Sequence, residues 1–213
     1  MSQGISLKEA ERKAFRTKYN DGLWDIFLGC FFLIFVIAPY LSSTLGDFWS
    51  SAVFLPFWAA LFLGIYLIRK RVVTPRIGIV KFGRARTAKL MRFSLVMLVL
   101  NVVVFILGIA AAASVGKVSG QTTSIGFGLI LLMGFSIAAY FLDFPRLYLY
   151  GLLVGLSPLV GEWLYNNGKA THHGFPVTFG TASAVMILVG LIIFIRLLRD
   201  NPLPTEDLPP EMA

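Results

Sequence analysis

The sequence predicts an all-α, polytopic membrane helix bundle with six transmembrane helices. Three observations predict it. Hydrophobic residues make up 57% of the 213 and charged residues only 14%, against about 45–50% and about 25% in soluble domains. Six apolar stretches each approach the roughly 20 residues that carry a helix across about 30 Å of hydrocarbon. All but two of the 19 Lys and Arg residues fall on one side of that six-span arrangement, the bias that marks cytoplasmic loops.

Residues 1–21 read as a polar cytoplasmic lead-in. Ser6 and Glu9 have capping-box spacing, and Leu7, Ala10, Ala14 and Phe15 follow at near-helical intervals. This pattern suits an amphipathic helix on the membrane surface and a solvated helix equally. The next apolar run is too long for the core of a secretory signal, so it is expected to remain as an anchor. A membrane domain over 22–198 follows, with spans expected at 22–42, 50–68, 92–114, 124–142, 146–165 and 176–197. Only Asp143, Phe144 and Pro145 separate the fourth span from the fifth, which demands a tight helical hairpin. The stretch 69–91 reads as a basic cytoplasmic loop. Residues 199–213 carry acids together with Pro202, Pro204, Pro209 and Pro210, and are expected to be a disordered cytoplasmic tail.

Charge sets the expected orientation. The lead-in holds Lys8, Arg12, Lys13, Arg16 and Lys18. The second connection holds Arg69, Lys70, Arg71, Arg76, Lys81, Arg84, Arg86, Lys89 and Arg92. Arg146, Arg196 and Arg199 share that side, and only Lys117 and Lys169 lie on the other. Both termini are therefore expected in the cytoplasm of a cell whose inner membrane holds the chain. Tyr19, Trp24, Tyr140, Tyr148 and Tyr150 fall near the inner boundary, and Tyr40, Trp49, Trp163 and Tyr165 near the outer one. Amphipathic rings favour both positions.

An internal repeat is suggested by spacing. Gly64 precedes Pro75-Arg76 as Gly134 precedes Pro145-Arg146, and Gly190 precedes Pro202 at nearly the same interval. Three related helical hairpins would produce this. So would the ordinary use of Gly within membrane helices and of Pro just beyond helix ends.

Ionisable residues within spans are the default functional candidates. Asp21 and Asp25 are four apart and share a helix face. An acid at mid-bilayer costs about 2.5–3.5 kcal/mol, so Asp25 should have a partner, and Arg76 or Arg146 is placed to supply it. Asp143 belongs to the same layer. These five residues suit either an inner-leaflet salt-bridge cluster that locks helices together or a proton or cation site open to the cytoplasm. Asn101, the one amide well inside a span, is expected to bond to a neighbouring helix. Ser136 and Ser157 can bond within their own helices. Gly151 and Gly155 form a small-residue packing face. Pro39 and Pro158 should bend their helices.

Arg69, Lys70, Arg71, Lys81, Arg84, Arg86 and Lys89 are expected to contact anionic lipid, with Val72, Val73, Ile77, Ile79, Val80 and Phe82 as apolar companions. Glu162, His172 and His173 lie near the outer end of the fifth span, but adjacent histidines chelate poorly on a helix, and no metal site is expected. Cys30 is alone and makes neither a disulfide nor a CxxC site. Phosphate-loop, dinucleotide and HExxH signatures are missing, and Gly134-Phe135-Ser136-Ile137-Ala138 is not a nucleophile elbow. Neither enzyme activity, a cofactor nor nucleic acid is expected.

The stretches YNDGLWDIFLG (19–29) and TPRIGIVKFG (74–83) resemble patterns found in small prokaryotic polytopic membrane proteins. The resemblance implies a membrane setting and carries no activity with it. The function expected from the residues is that of a non-enzymatic membrane subunit or scaffold, with a protein partner or a second copy as its expected companion. The alternative is a small-solute transporter or substrate-binding membrane component.

Overall fold

The computed structural model describes residues 21–77, 84–113 and 119–202, and every long element among them is a helix. Six helices are long and apolar enough to cross a bilayer: Leu23–Gly46, Phe48–Ile77, Thr87–Ile106, Gly120–Leu142, Arg146–Asn166 and His172–Asp200. The chain is thus a multi-pass membrane helix bundle. Most of the lead-in and all of residues 203–213 lie outside the described residues.

The segment read as a loop over 69–91 is mostly helical. The second span continues through a π-helical turn, Arg69–Val73, into a short helix, Thr74–Ile77. The third begins at Arg84. Lys and Arg are good helix formers, so their cluster marks a membrane boundary rather than a helix end. The wide turn has a local cause. Pro75 offers no N–H to the preceding turn, and its ring crowds the carbonyl four residues back. The helix widens there, and Thr74 Oγ1 donates to the Arg69 carbonyl at 2.9 Å.

Other boundaries follow from backbone demands. Gly46 has φ 76° and ψ 163°, a region essentially restricted to glycine, and it separates the first two spans. Ser119 caps the fourth span by accepting from the Thr122 N–H at 3.2 Å. Asp143 ends that span in the left-handed conformation (φ 51°), and buried Phe144 turns the chain into the fifth.

The helices pack unequally. The fourth and fifth spans are the closest pair, the first packs mainly on the sixth, and the fifth also meets the sixth. The third span's main neighbour is the fourth, and the second leans lightly on the first. The pairs that three equal hairpins would form are therefore not packed alike. Two pairings depend on absent side chains. A Cβ on Gly155 would lie 3.1 Å from the Gly128 carbonyl oxygen and 3.1 Å from Leu132 Cβ, so these backbones approach as small-residue faces allow. Gly22, at φ 77°, sits against the Gly190 backbone and lets the first span start flush on the sixth.

Mid-bundle is aromatic. Phe35 stacks on Phe179 with ring centres 4.6 Å apart, and Phe32 lies against Phe179 at 5.9 Å. Val154 and Met186 are fully buried beside them. Phe31 stacks on Trp58 at 4.9 Å and ties the second span to the first.

Candidate functional site

The charged groups gather at the two ends of the bundle. The end where the first, third and fifth spans begin is the basic end. Asp21, just ahead of the first span, is 1% exposed. It accepts from the Leu23 N–H at 3.1 Å and pairs with Arg69 of the second span. The first contact satisfies the first free N–H of the helix from one residue ahead of its N-cap, Gly22. Burial pushes the Asp21 carboxyl above its ordinary value of 3.8, and Arg69 pulls it partly back.

Asp25, one turn on, is fully buried. Tyr150 of the fifth span donates its hydroxyl to Oδ1 at 2.6 Å, and Arg146 lies 3.3 Å from Oδ2. The partner that sequence reasoning missed is Tyr150. As a boundary aromatic it gave no sign of pointing inward, although Gly151 beside it marks the packed face of that helix. Arg76, the other proposed partner, does not reach Asp25. Its guanidinium donates to the Leu198 and Asn201 carbonyls at 3.1 and 2.9 Å, capping the sixth span. The π turn and the following short helix carry Arg76 past the first span to that helix end.

Asp143 pairs with Lys89 of the third span at 3.5 Å, and Lys89 also donates to the Tyr140 carbonyl at 3.3 Å. Arg69 and Lys89, expected at the lipid surface, are therefore engaged in ion pairs. Lys70 and Arg71 are exposed. Lys81 lies outside the described residues, as do the side chains of Arg84 and Arg86.

Asn101 corrects an expectation. Its amide donates to the Met97 carbonyl of its own helix at 2.8 Å, and among the described residues it bonds to no neighbouring helix. One turn back on the same helix a carbonyl is always within reach, while the third span has few close neighbours. Ser136 and Ser157 likewise donate to carbonyls four residues back, at 2.7 and 2.8 Å.

At the opposite end, buried Glu162 meets His173 Nδ1 at 2.8 Å. Among the described residues no cluster of three His, Cys, Asp or Glu is arranged to hold a metal. Between the first, third and fourth spans lies a cavity of about 590 Å³. Its wall is almost wholly apolar, with Asn101 and Trp24 as its polar-bearing side chains. Among the described residues, the ion-paired end and this cavity are the features that bear most on function.

No family model, curated protein or solved structure matches the chain. Fold and site together define the class: a six-span membrane helix bundle in which Asp21, Asp25, Asp143 and Glu162 are held in ion pairs near helix ends.

Proposed function

We propose that the chain is a non-enzymatic multi-pass protein of a prokaryotic inner membrane, with both termini in the cytoplasm, acting as a subunit or scaffold. The observation that carries this reading is the disposition of its acids. Asp21, Asp25, Asp143 and Glu162 each have a basic partner near a helix end, while mid-bundle is filled by Phe rings. A proton or ion path needs polar groups through the middle, and these side chains offer none. Of the two readings of the acidic cluster, the geometry favours the helix-locking one. The basic end then faces the cytoplasm, with Lys70 and Arg71 directed at anionic lipid or an acidic partner.

The test is native mass spectrometry after mild extraction from native membranes. A discrete assembly heavier than the 23.5 kDa chain is expected. Recovery of the single chain alone, at every detergent and lipid level tried, overturns the reading.

The second reading, a substrate-binding membrane component, is favoured by the cavity. Its apolar wall restricts the substrate to apolar or amphiphilic molecules. Thermal stabilisation by such compounds, and not by polar metabolites, is the expected signature of this alternative.

A further inference from the structure

We propose that the cavity between the first, third and fourth spans is a lipid site, seating an acyl chain of an anionic phospholipid whose headgroup rests at the basic end. The inference is independent of the scaffold reading.

Height identifies the kind of occupant. On the first span the wall runs from Trp24 to Phe35, and on the third from Phe93 to Val104. Eleven helical residues rise about 16 Å, close to the roughly 15 Å of one leaflet's hydrocarbon. The cavity thus begins at the basic boundary and ends near mid-bilayer, the reach of a single acyl chain.

Volume fits a small guest: the cavity holds about 590 Å³, within the roughly 300–1,000 Å³ of small-molecule sites.

Charge selects the headgroup. Three wall residues at the basic boundary have a cation beside them in space or in sequence. Arg69 lies over the Trp24 ring at 6.0 Å, and Arg146 lies over Phe144 at 4.9 Å. Lys89 stands one turn before Phe93, and exposed Arg92 immediately before it. Three of these cations already face carboxylates, and Arg92 is the cation next to a wall residue with no ion pair among the described residues. Basic pockets beside membrane helices bind anionic headgroups. The Asn101 amide in the wall already donates within its own helix, which leaves the slot suited to a hydrocarbon guest.

Trp24 reports occupancy directly. The protein is reconstituted in phosphatidylcholine vesicles that contain a minor share of phosphatidylglycerol brominated on its acyl chains. The Trp24 signal is taken as the difference between wild type and Trp24→Phe. Quenching is expected to exceed that from brominated phosphatidylcholine at the same share. Gly134→Phe should abolish the excess by filling the slot, because Gly134 is in the wall and a Cβ there meets only Leu100 Cδ2, at 3.7 Å. Gly126→Phe, where a Cβ meets nothing within 4 Å, should leave the excess unchanged and serves as the folded control. Arg92→Gln should cut the preference for phosphatidylglycerol about fivefold, the worth of one surface cation. Equal quenching by the two lipids overturns the headgroup assignment. An excess that survives Gly134→Phe in folded protein overturns the site. Loss of the excess in Gly126→Phe as well overturns its assignment to this cavity.

Discussion

Tyr150→Phe removes one oxygen and leaves a buried ring in place. Two magnitudes compete for its effect. Hydrogen bonds between membrane helices average about 0.6 kcal/mol and reach about 1.7, whereas bonds to charged groups are worth about 1.5–3 kcal/mol. Asp25 is fully buried, so water cannot replace the lost donor. The 2.6 Å separation is in the range of O–H···O⁻ bonds. The larger value should win, at about 1.5–3 kcal/mol, or about 10- to 150-fold in the unfolding constant. Asp25→Asn breaks the pair from the other side. Removing one member of a buried pair costs about 3–5 kcal/mol, but the Arg146 side chain is 26% exposed and can turn to headgroups, so about 2–3 kcal/mol is expected. Both variants act on one contact, and the double variant should fall short of their sum by about 1 kcal/mol or more. Reversible unfolding in mixed micelles, followed by helical circular dichroism, measures all three. Agreement of the double variant with the sum to within about 0.3–0.5 kcal/mol would refute the hydroxyl–carboxylate bond.

Asp25→Asn should destabilise more than Glu162→Gln in the same assay, because the His173 partner of Glu162 is 56% exposed; equal losses would reject this ranking. Gly46→Ala should cost about 1–3 kcal/mol from backbone strain alone, since no atom lies near its Cβ position. Gly22→Ala should cost more, because it adds a clash with Gly190 to a left-handed φ, and thermal melts decide the order. Asp21 has its carboxyl pushed up by burial, so the folded chain binds its proton more tightly than the unfolded chain. Its contribution to stability should therefore rise as pH falls from neutrality toward the ordinary 3.8, and the difference between wild type and Asp21→Asn across that window tests the sign. Arg76→Ala frees the Leu198 and Asn201 carbonyls and should speed hydrogen exchange at that end of the sixth span, with exchange in the fifth span unchanged.

The six helices were legible because a bilayer imposes length and apolarity on each span independently. The need of Asp25 for a partner was legible for the same reason: a lone buried acid is costly. What the sequence concealed depended on rotation about helix axes. Tyr150 has the composition of an interfacial anchor, and only the packing of the fifth span against the fourth and sixth turns it inward to Asp25. Arg76 and Arg146 follow matching Pro residues, yet Pro75 widens its helix and Pro145 opens one, so the two guanidinium groups arrive at different targets. The basic stretch around 69–91 looked like a loop because charge marks the edge of the hydrocarbon and says little about where a helix stops. Nothing in the pattern of apolar residues announced the cavity, since a wall facing a void and a wall facing lipid have the same composition.

The pairing of the first span with the sixth, and of Asp25 with Tyr150 and Arg146, has a consequence for biosynthesis. A ribosome delivers the first span long before its neighbours. During the synthesis of three further spans its carboxylate must wait in or near the membrane without its eventual partners, sheltered by the insertion machinery, by water at the boundary, or by protonation. Closure of the bundle is therefore a late event, and a nascent chain stalled before the fifth span would present an unmet acid to whatever surveys newly inserted proteins.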